Sequence, residues 1–111
     1  MRAGRGVDRG QAADSQSAEL RRLRRRVDAL DRRLVGLLNE RAELGRAIGR
    51  EKVAGGRRSV RDPEREREVL LRVTMANLGP ISQADLLAIY RRLIAATRSV
   101  ETRDRERGNH R

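Results

Sequence analysis

The chain has 111 residues, enough for one domain, and a formal net charge of +11 from 27 Lys and Arg against 16 Asp and Glu. It has no Cys, and its single His, His110, stands one residue from the C-terminus, which excludes a disulfide framework, a thiolate metal site, a cysteine nucleophile and a histidine-based catalytic centre. No apolar run approaches the roughly 18 residues of a membrane span, and the N-terminal stretch has charges but no apolar signal segment, so the expectation is a cytoplasmic protein that binds no membrane.

Residues 1–16 are rich in Gly, Arg, Ser and Gln and read as a disordered tail. From about Ser17 to Val53 a period near 3.5 runs through Leu20, Leu23, Val27, Leu30, Leu34, Leu37, Leu44 and Ile48, and Gly55-Gly56 ends it. A second helix starts where Asp62 can cap the first turn and Pro63 fits the first helical position. Its stripe is Val69, Leu70 and Val73, and Gly79-Pro80 stops it shortly after Asn77. A third begins at Ser82, with Asp85 completing a capping box and Ile81 and Leu86 placed as a hydrophobic staple. Its stripe is Leu86, Ile89, Tyr90, Leu93, Ile94 and Val100. After about Arg103 the chain turns polar, so 104–111 read as a second tail and 17–103 as one helical domain. No strand pattern occurs; the predicted fold is all-α.

The first helix is too long for a monomer. Its roughly 36 residues span about 54 Å, while a compact chain of this length has a radius of gyration near about 13 Å. Two short helices cannot cover such a seam, so a two-fold homodimer with antiparallel long helices is expected.

The polar exceptions on the apolar stripes carry the chemistry. Continuing the spacing from Leu37 places Arg41 at a core-type position. Lys52 lies only about 20° off the same face and about 16 Å further along. Arg24 points about 100° away from Arg41, so in an antiparallel dimer it can reach the partner's cavity instead. Running the second stripe backwards lands on Glu66, with Arg65 beside it, and the third stripe continues to Thr97 and Glu101. Taken singly, each has an ordinary account: an arginine snorkelling from a seam, a first-turn charge favoured by the helix dipole, a threonine in packing, a surface glutamate. Together they put costly charges on the inner faces of three helices, and a small dianionic ligand would satisfy them. The competing reading of the basic charge is nucleic acid. Tyr90 is the one aromatic residue, which leaves little for base stacking, and the charge is spread along the chain rather than collected in a block.

The segments "LRRRVDALDRRLVGLLNERAELGRAIGREK" and "VRDPERE" resemble the all-helical chorismate mutases over roughly residues 19–102. The shared pattern is L-R-x-x-[IV]-x-x-[IL]-D, L-L-x-x-R, G-x-x-K and R-D-x-x-R-E. The resemblance implies an intertwined three-helix homodimer that converts chorismate to prephenate, in phenylalanine and tyrosine biosynthesis, with no cofactor, metal or nucleic-acid partner. It further implies that Arg24 enters the partner's site to bind a substrate carboxylate and that Arg41 binds or shares the other. Lys52 would hold a carboxylate and the ether oxygen, Asp62 and Glu66 the ring hydroxyl, and Arg65 would support the carboxylate contacts. Thr97 stands where the family usually has a small hydroxyl residue. Glu101 stands where it usually has Gln, an amide that donates to the ether oxygen, which a carboxylate does only when protonated. The loop from Lys52 to Asp62 is one residue longer than usual. The alternatives are a mutase or lyase for aminodeoxychorismate or isochorismate, and a basic helical dimer that binds nucleic acid; a partner enzyme of the same pathway stays open.

Overall fold

A computed structural model describes residues 2–57 and 61–109, with side chains over 17–57 and 61–108. It holds three helices, α1 (Arg2–Ala54), α2 (Pro63–Ala76) and α3 (Gln83–Asn109), and no strand among the described residues. The all-α expectation therefore holds. The chain divides into two compact units, Met1–Leu37 and Leu38–Arg111.

In the first unit α1 is alone. Its apolar row keeps Leu20 at 46%, Leu30 at 57% and Leu37 at 56% of full exposure, so the 3.5-residue stripe stays about half exposed. The helical backbone extends to Arg2, beyond the start near Ser17 that the apolar pattern predicts. No Pro interrupts this stretch, but Gly4, Gly6 and Gly10 disfavour helix, so neither propensity nor an apolar stripe signals the extension; the side chains of 1–16 lie outside the described residues.

In the second unit α2 packs on α3. Val69, Leu70 and Val73 of α2 face inward together with Leu86, Leu87, Tyr90, Leu93, Ile94 and Val100 of α3, all partly buried. Ile89 departs from the expected stripe and is 54% exposed, because the inward row is Leu86, Tyr90, Leu93 and Thr97, spaced four, three and four. Among the described residues no apolar side chain is fully buried.

Both predicted helix starts are present. Asp62 Oδ1 accepts from the Arg65 N–H at 3.2 Å and Pro63 opens α2. Ser82 Oγ accepts from the Asp85 N–H at 3.2 Å and its carbonyl accepts from the Leu86 N–H at 3.0 Å. The α2–α3 turn is held by side chains. Asn77 Nδ2 donates to the Ile81 carbonyl at 2.9 Å and to Gln83 Oε1 at 3.1 Å, while Asn77 Oδ1 accepts from the Gly79 N–H at 2.9 Å. Gln83 Nε2 donates to the Thr74 carbonyl at 2.8 Å, a second bond to the carbonyl that also accepts from the Asn77 N–H at the end of α2. Gly79 has φ +81°, a left-handed conformation that a side chain would disfavour.

The predicted polar tail after Arg103 is helical to Asn109 instead. The reason is an ion pair that the apolar pattern does not register: Arg50 Nε and Nη2 donate to Asp104 at 3.1 and 3.0 Å and tie the last turns of α3 to α1. His110 and the middle of the long Lys52–Asp62 loop, residues 58–60, lie outside the described residues.

Candidate active site

Within the second unit a cleft of about 260 Å³ opens between α1, α2 and α3, and Arg41, Lys52, Asp62, Arg65, Glu66, Thr97 and Glu101 all line it. Leu44, Ile48, Val69 and Ile94 supply its apolar walls. The volume is near the lower end of small-molecule sites, roughly 300–1,000 Å³. A second depression of about 1240 Å³ shares Glu101 with the cleft and is lined by residues of α1, α3 and the loop after α1, five arginines among them. The smaller cleft is the candidate site, because all three helices contribute to it and it sets charges of both signs beside four apolar side chains.

Arg41 Nη1 donates to Thr97 Oγ1 at 3.1 Å, and the Thr97 hydroxyl donates in turn to the Leu93 carbonyl at 3.1 Å. Thr97 is the buried polar side chain among the described residues, at 7% exposure. Arg41 is thus an inward cation steered by a hydroxyl, as its core-type position predicts. Lys52 Nζ stands 4.0 Å from Asp62 Oδ2, so the carboxyl that caps α2 through one oxygen faces the lysine with the other.

Glu66 Oε1 stands 3.6 Å from Arg98 Nη2. Arg98 lines the cleft and was absent from the sequence reading. A signal for it existed: Ile94 is followed four residues later by Arg98, a second row beside the Leu93–Thr97 row. Arg65 lines the cleft too, yet its guanidinium donates to Glu68 Oε2 at 3.3 Å and is half exposed. Arg24 belongs to the first unit and is exposed there, whereas the residues around the cleft all come from the second.

Burial raises the pKa of Glu101 above the ordinary carboxylate value, and Lys52, Arg105, Arg98 and Arg41 hold the shift back. Asp104 is lowered, chiefly by its hydrogen bond from Arg50. The cleft therefore offers cations suited to carboxylates, a Glu66 carboxylate that can accept from a hydroxyl, and at Glu101 a carboxyl whose pKa burial raises. Among the described residues no cluster of His, Cys, Asp and Glu is arranged to hold a metal, and no helix is long and apolar enough to cross a membrane.

Comparison with known proteins shows the family. A bifunctional chorismate mutase/prephenate dehydratase of Aquifex aeolicus (strain VF5) is 38% identical over 87 residues, 75% of this chain and 24% of that protein. Proteins of the same description from Stutzerimonas stutzeri and Neisseria gonorrhoeae (strain ATCC 700825 / FA 1090) are 30% identical over 91 residues and 36% over 78. They cover 78% and 70% of this chain but 25% and 21% of their own lengths. The chain thus spans about a quarter or less of these relatives. The profile of chorismate mutase type II matches residues 23–102, a span that holds every residue of the candidate cleft. The chain belongs to the chorismate mutase type II family.

Proposed function

We propose that the chain is a chorismate mutase that rearranges chorismate to prephenate for phenylalanine and tyrosine synthesis. One observation carries the reading: a single cleft collects Arg41, Lys52, Glu66, Thr97 and Glu101 from three helices. A Claisen rearrangement moves electrons round six atoms in one step, with no nucleophile and no net proton transfer. The task is to fold the enolpyruvyl arm over the ring, which is positioning, and to stabilise the negative charge that builds on the ether oxygen as the C–O bond breaks.

Arg41, steered by Thr97, clamps a carboxylate. Lys52 bridges a carboxylate and the ether oxygen. Glu66, held by Arg98, accepts from the ring hydroxyl, with Asp62 beside it. Arg65 swings from Glu68 to support the carboxylates. Glu101, protonated, donates to the ether oxygen. The catalytic domain is 17–103, and the protein works as an intertwined cytoplasmic homodimer in which the partner's Arg24 completes each site.

Direct measurement of chorismate loss with identification of the product tests this reading. Prephenate is the expected product, and Lys52→Ala lowers kcat by on the order of 10²- to 10³-fold, the usual loss of one charge-stabilising donor. A different product, or turnover indifferent to Lys52, overturns it.

A further inference from the structure

Gly45 and Gly49 follow Arg41 by one and two turns of α1, and both face α3. They are not equivalent. A Cβ on Gly49 would meet Glu101 Cγ at 3.6 Å, an ordinary van der Waals contact. A Cβ on Gly45 would overlap Thr97 Cγ2 and stand 3.1 Å from Glu101 Oε1. The space beside Gly45 is already filled by the threonine methyl.

Thr97 cannot turn that methyl aside at no cost. Its hydroxyl donates to the Leu93 carbonyl and accepts from Arg41 Nη1, both at 3.1 Å, and these two bonds select one χ1 rotamer. Rotating the methyl away rotates the hydroxyl with it, because both are borne by the same carbon. A side chain at position 45 therefore either displaces α3, carrying Glu101 with it, or releases Arg41 from Thr97.

We propose that Gly45 is a positioning residue of the mutase site: its missing side chain admits the Thr97 methyl, which fixes the Thr97 hydroxyl on Arg41. Gly45 and Thr97 form a size-matched pair, and the guanidinium that clamps the substrate is aimed by it. The inference rests on the reading of Arg41 as a carboxylate clamp and adds a residue of the cleft lining that bears no side chain and acts through Thr97. It also accounts for a threonine in place of a serine: without the methyl the hydroxyl has more rotamers, and with it the rotamer is set by the fit against α1.

The test uses the full chain with Gly45→Ala, Gly49→Ala, Thr97→Ser and the double variant Gly45→Ala/Thr97→Ser, read by chorismate kinetics and thermal unfolding. On helix propensity alone both glycine-to-alanine changes favour α1 equally. The pair predicts a split. Gly49→Ala keeps the kinetics of the parent, while Gly45→Ala loses about 10- to 100-fold in kcat/KM, the scale of an ångström-sized misplacement. Most of that loss lies in KM, because a clamp that grips substrate and transition state alike contributes uniform binding. Serine keeps the hydroxyl and removes the clashing methyl, so the double variant returns to within about 3-fold of Thr97→Ser alone, a negative-to-positive coupling that independent sites do not show. Equal kinetics for the two glycine variants, or a double variant no better than Gly45→Ala, overturns the inference. Should Gly45→Ala fail to fold, the double variant carries the test: folded and active supports the pair, unfolded overturns it. A parent protein that leaves chorismate unchanged defeats the functional reading instead, and recovery of the unfolding temperature in the double variant then still decides whether the two residues are matched.

Discussion

Glu101 is held between opposing influences. Burial disfavours its ionised form, while Lys52, Arg105, Arg98 and Arg41 favour it, and the balance leaves the pKa raised. Two consequences follow from the sign. In the window between the ordinary carboxylate value and the raised one, the native chain binds the proton more than the unfolded chain does, so stability falls as pH rises through that window. If the neutral acid is the donor to the ether oxygen, the rate falls in the same direction. Glu101→Gln supplies a donor of similar shape that does not titrate. It is expected to keep activity at low pH, to extend it to higher pH and to flatten this part of the stability profile. Loss of one such donor costs on the order of 10²-fold in rate, so pH–rate profiles of the two proteins separate plainly; identical flat profiles remove Glu101 from the chemistry.

At the scale of the elements, the caps carry more than helix starts. Asp62 begins α2 with one oxygen and faces Lys52 with the other, so the start of a helix and the wall of the cleft are set by one side chain. The α2–α3 turn depends in the same way on Asn77, which bonds to Ile81, Gln83 and Gly79. Asn77→Ala is expected to destabilise the fold by about 1–2 kcal/mol, the net worth of a few partly exposed hydrogen bonds, as measured by urea denaturation with an unchanged slope. What the sequence made legible divides along the same line. Helix starts at Asp62 and Ser82 and the inward turn of Arg41, Glu66, Thr97 and Glu101 follow from local chemistry and from period, both of which one stretch of chain contains. Arg98, the Gly45–Thr97 fit and the helical end of α3 depend on which side chain of a different helix stands opposite: Glu66, Thr97 and Arg50 respectively. A periodic pattern states that a face is buried; it does not state against what.

At the scale of the whole molecule the open account is apolar surface. The row from Leu20 to Leu37 is about half exposed, and Leu44, Ile48 and Val53 continue above 50%. Soluble monomers rarely leave contiguous apolar patches beyond a few hundred Å², so the proposed homodimer supplies the missing cover, and sedimentation is expected to find a dimer with no active monomer. In the proposed homodimer the Arg24 of each chain is expected to complete the other chain's cleft, whose lining holds Arg41. Complementation tests this arrangement without any structure of the complex. Arg24→Ala and Arg41→Ala are each expected to be inactive as homodimers, since each lacks one clamp at both sites. When the two are mixed and refolded together, each mixed dimer has one site with both arginines and one with neither. Random pairing makes about half the dimers mixed, so about a quarter of the parental sites should return. Recovery near that level, rising with the fraction of mixed dimers and absent when the two variants are kept apart, identifies Arg24 and Arg41 as clamps from different chains. No recovery despite proven exchange of subunits would put both clamps in one chain and end the shared-site reading.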